Sequence, residues 1–182
     1  MSVQAVNLSF AACGFLGIYQ LGACGAILRH GDKLLGSLRA CAGASAGALV
    51  AAMVVTAPEK LERVKEFTLR FAKDVRSQRL GAVTPGYDFM LTLRDGIEEF
   101  LPSNAHSIAG DRLHISITHS KSGKNSIVSH FASREDLIKL SKENIVRLNQ
   151  SLFPPPEARM LQYCEEGHED AMTFLKKENW IQ

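Results

Sequence analysis

The sequence predicts an α/β fold with a mainly parallel sheet and helices packed on it. Two observations carry this. Apolar stretches of strand length at residues 3–10 and 38–42 each end in a glycine-bearing turn, and each turn opens a helical run. Strand, loop, helix, strand, turn and helix in that order require parallel pairing with crossover helices. The size agrees: 182 residues, 46% hydrophobic and 22% charged, suit one globular domain with a real core.

Residues 3–10 read as a buried strand despite the polar Asn7. Residues 11–17 form a glycine-rich loop, and residues 18–29 a helix that ends at Gly31. The second strand, 38–42, delivers Ser45 at its C-terminal end, and residues 46–55 make a small-residue helix broken by Pro58. Leu61, Val64, Phe67, Phe71 and Val75 recur at helical spacing within residues 59–78. The opposite face, with Lys60, Arg63, Lys65, Arg70, Lys73 and Arg76, is either a solvated surface or a basic face for anionic lipid.

Thr84-Pro85-Gly86 is a turn before a helix over 87–100, which Pro102 stops. Leu113, Ile115 and Ile117 alternate with His114, Ser116 and Thr118 as a half-buried strand, and 126–131 is its hairpin partner. Ser133 and Asp136 resemble a capping box that starts a helix running to Gln150. Pro154-Pro155-Pro156 then stops the chain, and 157–179 form the last helix.

Several function classes are disfavoured. A formal charge of +2 does not point to nucleic acid. Cys13, Cys24, Cys41 and Cys164 lack metal-ligand spacing and read as reduced thiols of an intracellular protein, with no metal and no cofactor expected. No basic segment precedes an apolar run at the N-terminus, so no signal peptide is expected. Residues 11–28 approach membrane-spanning length, but Gly14, Gly17, Gly22, Gly25 and Gln20 suit a helix packed against a sheet better.

The chemistry concentrates at Gly43-Ala44-Ser45-Ala46-Gly47, a G-x-S-x-G frame. Such a frame arises by chance roughly 0.1 times in a chain of this composition. Its glycines permit a cramped strand-to-helix turn that makes Ser45 a nucleophile candidate. Attack on an ester also needs oxyanion donors, and the Cys13-Gly14-Phe15-Leu16-Gly17 turn can supply backbone amides. A phosphate cradle is the competing reading of that turn. Ala12 at the first glycine position, and Asp32 placed in a turn, argue against it.

Ala12-Cys13-Gly14-Phe15-Leu16-Gly17-Ile18-Tyr19 together with Gly43-Ala44-Ser45-Ala46-Gly47 resembles the patatin-like phospholipase family. The likeness is to the animal branch of adiponutrin and the adipose triglyceride lipase, most of all to its short single-domain type. It runs from Val6 to Leu140 and resumes from Asn144, taking in Thr84-Pro85-Gly86-Tyr87-Asp88 and Lys177-Glu178-Asn179-Trp180. It implies a three-layer α/β/α fold, a Ser–Asp dyad without histidine, and hydrolysis of triacylglycerol, phospholipid or retinyl esters, with acyl transfer as a variant. Ser45 would be the nucleophile and the amides around Cys13 and Gly14 the oxyanion donors, with Gly17, Gly43 and Gly47 as motif glycines. Lipid-droplet or membrane contact, in the cytoplasm or at those surfaces, follows from the same resemblance.

One departure matters. The family's Asp-Gly-Gly or Asp-Gly-Ala turn, which would bring the catalytic aspartate, has no counterpart after Leu140. The pattern is that of an internal deletion and an incomplete sheet. Residues 1–140 would form the patatin-like part with the elbow, and 141–182 a C-terminal helical segment of the same domain. The only Asp-Gly is Asp95-Gly96, in a predicted helix. Rescue by His114, His119 or His130 would require a triad foreign to the family. The sequence therefore predicts an impaired lipid acyl-ester hydrolase, or a catalytically inactive lipid- or protein-binding relative. An α/β-hydrolase with a histidine fits less well, because only two strands precede Ser45. The missing strand predicts an exposed sheet edge and marginal stability.

Overall fold

The computed structural model describes residues 5–119, 122–143 and 153–181. Its sheet has four strands: β1 (Val6–Phe10), β2 (Leu38–Ala44), β3 (Leu113–Thr118) and β4 (Asn125–Val128). They lie in the order β1-β2-β3-β4, the first three parallel and the last antiparallel to β3. Among them run α1 (Gly17–His30), α2 (Asp32–Ser37), α3 (Ala46–Thr56), α4 (Leu61–Ser77), α5 (Phe89–Phe100), α6 (Ala105–Ala109), α7 (Arg134–Glu143) and α8 (Glu157–Lys177). The protein is thus a mixed α/β chain with an open, mostly parallel sheet, consistent with a patatin-like α/β/α fold.

The parallel register sets which side chains share a face. Leu8, Cys41 and Leu113 align across three strands, and Gly43 aligns with Ile115. This face receives α3, whose Ala48, Val50, Ala51, Ala52 and Met53 are buried. Helix α3 is apolar all round, which is why it sits inside the protein rather than on its surface. On the opposite face Asn7, Ser9, Thr118, Asn125 and Ile127 are exposed, and β1 forms one edge of the sheet.

The second packing unit is α1 against α8. A Cβ on Gly22 would collide with the Cys164 carbonyl, and one on Gly167 with the Tyr19 carbonyl. Two glycines, one from each helix, therefore set how closely the axes approach. The Tyr19 hydroxyl donates to Asp170 Oδ2 at 2.6 Å across the same seam.

Local signals explain the ends of the elements. Tyr87 N donates to the Thr84 carbonyl at 3.0 Å, with Pro85 next and Gly86 at φ +84°, so the turn needs a glycine there. Asp88 caps α5 by accepting from Leu91 N at 2.8 Å. Ser133 Oγ accepts from Asp136 N at 3.1 Å, as a capping box requires, while Asp136 reaches back to Ala132 N, one residue further than expected.

Some expectations need correction. Asp32 opens the short helix α2 rather than lying in a turn. The second hairpin strand stops at Val128, short of Phe131. Helix α7 is described to Glu143, and the expected extension to Gln150 lies outside the described residues. Residues 11–28 divide into a loop with a short 3-10 turn and then α1, and among the described residues no helix is long and apolar enough to cross a membrane.

Candidate active site

The elbow begins where β2 meets α3. Ser45 stands between them at φ +54° and ψ −130°, backbone that L side chains rarely adopt and that costs on the order of 1–3 kcal/mol. The surroundings leave little alternative. A Cβ on Gly43 would run into the backbone of Gly47 and Ala48, and one on Gly47 into the carbonyl oxygens of Phe10 and Ala11. The glycines of the motif are therefore close-approach positions, which pin α3 onto the end of β1.

The loop after β1 completes the arrangement. Gly14 has φ +52°, and Leu16 N donates to the Cys13 carbonyl at 3.0 Å to close a tight turn. Gln20 Nε2 donates to the Ala11 carbonyl at 3.1 Å and anchors the start of the loop. A Cβ on Gly17 would meet Cys13 Sγ at 3.4 Å and Ala46 Cβ at 3.9 Å. Cys13, Gly14, Gly17, Gly43, Ser45 and Gly47, far apart in sequence, thus converge on one corner of the molecule.

Ser45 is 4% exposed, and its Oγ has no hydrogen-bond partner among the described residues. That is unusual for a buried hydroxyl, since an unmade hydrogen bond costs about 1–3 kcal/mol. The candidate bases are engaged or displayed elsewhere. Asp88 caps α5, Asp95 is exposed on that helix, and His119 Nε2 lies 3.2 Å from Ser126 Oγ in the hairpin. His130 is exposed and His114 half-buried on the strand face away from α3. Cys13 offers no alternative nucleophile, because burial pushes its thiol up to about 11.

Beside the elbow lies an apolar cavity of about 90 Å³, with Gly14, Gly17 and Ala46 at one end. Phe15, Phe71, Phe89, Leu93 and Ile97 line it. Aromatic rings form a continuous wall: Phe15 to Phe71 at 5.4 Å, Phe71 to Phe89 at 4.8 Å and Phe67 to Phe71 at 5.5 Å between centroids. The sequence marks Phe67 and Phe71 as part of the apolar stripe of residues 59–78 and gives no such signal for Phe15, Phe89, Leu93 or Ile97. That spacing predicts burial but not a cavity.

Helix α4 itself differs from a basic face. Among its exposed residues, Arg63, Arg70 and Lys73 alternate with Glu62, Glu66 and Asp74. Lys65 is half-buried and pairs with Glu62 at 3.1 Å, while Arg76 is half-buried and donates to the Pro155 carbonyl. Mixed charge of this kind suits a solvated helix face. Among the described residues no three His, Cys, Asp or Glu side chains gather as a metal site.

The patatin-like phospholipase family profile matches residues 8–161. Human patatin-like phospholipase domain-containing protein 4 is 41% identical, over 99% of this chain and 100% of its own length. That match spans 253 positions against 182 residues here, so at least 71 positions have no residue of this chain opposite them. A mouse 1-acylglycerol-3-phosphate O-acyltransferase is 34% identical over 96% of the chain and 42% of its own length. A human omega-hydroxyceramide transacylase is 31% identical over 88% and 30%. No solved structure gives a significant match. The chain belongs to the patatin-like phospholipase family.

Proposed function

We propose that the protein is a lipid acyl-ester hydrolase of the patatin type whose turnover is impaired in this chain. One observation carries the reading: Ser45 sits on a strained elbow with its hydroxyl buried and unpartnered, and its chain neighbour Ala46 lines an apolar cavity together with Gly14 and Gly17. In this reading Ser45 Oγ attacks the acyl carbonyl, and the amides of Cys13 and Gly14 stabilise the oxyanion. The ester C–O bond then breaks and the alcohol leaves, protonated through solvent that takes up the Ser45 proton; water then attacks the acyl-enzyme, releasing the fatty acid and restoring the Ser45 hydroxyl. Gly17, Gly43 and Gly47 hold loop, strand and helix close enough for these groups to meet.

Proton transfer is the weak step. No side chain accepts the Ser45 proton among the described residues. Positioned acid–base catalysis is worth about 10²–10⁴-fold, so its loss leaves slow turnover rather than none. We place the missing positions after Leu140, between the part with the elbow (1–140) and the C-terminal segment (141–182). Triacylglycerol, phospholipid acyl or retinyl esters are the substrate class, and a second alcohol in place of water would make the same acyl-enzyme a transacylase. The protein would act at a membrane or lipid-droplet surface, where such esters reside.

The orphaned hydroxyl also favours a second reading, a catalytically inactive variant that binds lipid or a protein partner. Hydrolysis of a long-chain acyl ester by the purified chain and by Ser45→Ala separates the two. Slow release of fatty acid that the substitution abolishes supports the hydrolase. Release that is equal in both, or absent in both, removes it.

A further inference from the structure

Helices α4 and α5, which both line the apolar cavity, are joined by residues 78–88, and this connection carries its large apolar side chains on the outside. Leu80 is 51% exposed and Val83 58%, while the small Gly81 and Ala82 between them are buried. Burial of apolar area alone favours the reverse arrangement. Pro85 is exposed as well. Isolated apolar residues on a surface are ordinary, and Ile127 on β4 is one: it is 67% exposed, with Asn125 and Ser126 before it. The 78–88 connection differs because two such side chains flank a single buried turn.

Hydrogen bonds fix this turn. Gly81 N donates to the Gln78 carbonyl at 3.2 Å, and Leu80 N donates to Thr84 Oγ1 at 2.9 Å. The Thr84 hydroxyl donates in turn to the Gly81 carbonyl at 2.9 Å. Gly81 has φ +58°, backbone that suits glycine. Leu80 and Val83 are therefore held outward before any partner arrives, which lowers the ordering cost of contact.

Position and charge indicate what the turn meets. Phe71 of α4 and Phe89 of α5 both line the cavity, with ring centroids 4.8 Å apart. Phe89 is the first residue of α5, and Phe71 precedes Ser77, the last residue of α4, by 77 − 71 = 6 positions. At 1.5 Å per residue that is roughly 9 Å of helix. The connection thus follows on directly from the aromatic wall of the cavity. Exposed charges near it balance, Lys73 and Arg79 against Asp74 and Asp88. An apolar turn among balanced charges fits an uncharged lipid surface better than an anionic membrane or a strongly charged protein.

Resting on the acyl-ester reading above, we infer that residues 78–88 form a preformed docking turn for an uncharged lipid surface. Leu80 and Val83 enter the apolar layer, and the cavity lined by Phe71 and Phe89 is carried to the interface where acyl esters reside.

The test measures partition of the full chain onto phosphatidylcholine vesicles by co-sedimentation, and needs no turnover. The double variant Leu80→Ser with Val83→Ser should bind about ten-fold more weakly than the parent. Ile127→Ser, at a more exposed apolar position, should change partition less than two-fold. Binding should be the same at low salt and at about 0.5 M salt, since insertion rather than charge drives it. Both side chains are exposed, so the urea midpoint of the double variant should match the parent's. A second readout places Val83→Trp in a Trp180→Phe chain, which removes the single native tryptophan. Its emission should move to the blue on adding vesicles. Absence of parent binding, equal loss in Ile127→Ser, salt-sensitive binding or an unmoved emission would each overturn the docking turn. Ser45→Ala should keep full partition. Loss of fluorophosphonate labelling with partition intact therefore removes the hydrolase reading, whereas loss of partition with labelling intact removes the docking turn alone.

Discussion

The elbow's geometry rests on close backbone approach, and Gly47→Ala tests that directly. A Cβ at position 47 would stand 2.5 Å from the Ala11 carbonyl oxygen, 0.9 Å inside the 3.4 Å at which ordinary contact begins. The Phe10 carbonyl is closer still. Neither neighbour is a side-chain tip that can rotate aside; both belong to the end of β1 and the loop that follows. Relief requires α3 and β1 to part by most of an ångström. Overpacking of this kind costs about 1–3 kcal/mol, and rigid neighbours place Gly47→Ala near 3 kcal/mol. With an m-value of about 2 kcal/mol/M, the urea midpoint should fall by roughly 1.5 M. Gly36→Ala is the control. Position 36 is an exposed helical site where an added Cβ meets nothing within 4 Å, so alanine there should stabilise by about 0.5–1 kcal/mol. If Gly47→Ala unfolds at the parent's midpoint, the close approach of α3 and β1 is wrong and the elbow with it.

The same reasoning extends to other parts of the fold. Gly167→Ala places a Cβ against the Tyr19 carbonyl and should lower the urea midpoint by about as much as Gly47→Ala; an unaffected midpoint would mean that α8 does not pack on α1 this closely. Arg134 donates to the carbonyls of Glu98 at 2.7 Å and Leu101 at 3.0 Å, closing the C-terminal end of α5. Arg134→Ala should cost about 1.5–3 kcal/mol, read from the same titration, with Arg134→Lys recovering part of it. Burial raises Cys13 and Cys41 to about 11 and Cys24 to about 12, from 9.0 in the unfolded chain. Their neutral form is favoured on folding, so this contribution is complete below pH 9 and disappears as pH rises through 11 to 12. The urea midpoint should therefore fall between pH 9 and 11, less steeply in Cys24→Ala, and a flat profile would refute the burial of these thiols.

Most of the site could be read from the sequence because its parts are local. Gly43 to Gly47 and Cys13 to Gly17 each occupy one turn, and a strand that runs into glycine announces that turn. What escaped was short or depended on distant partners. Helices α2 and α6 span six and five residues, too few for a 3.6-residue period to declare itself. On α4, cation spacing alone leaves a solvated and a basic face open, and Glu62, Glu66 and Asp74 stand among the exposed cations. The cavity could not be foreseen, since Phe67 and Phe100 meet only once α4 and α5 pair. The glycines of α1 read as a reason against a membrane span, yet Gly22 is where Cys164 of the last helix presses in.

The proposed function requires that the elbow is formed and that, among the described residues, Ser45 has no base. The measurement closest to it is the rate of fluorophosphonate labelling of the folded chain, with Ser45→Ala as the blank. Human patatin-like phospholipase domain-containing protein 4, the full-length match, serves as the comparator. The account predicts labelling confined to Ser45 and about 10²-fold or more slower than in the relative. Labelling as fast as in the relative would contradict the account, because some group would then be taking the Ser45 proton.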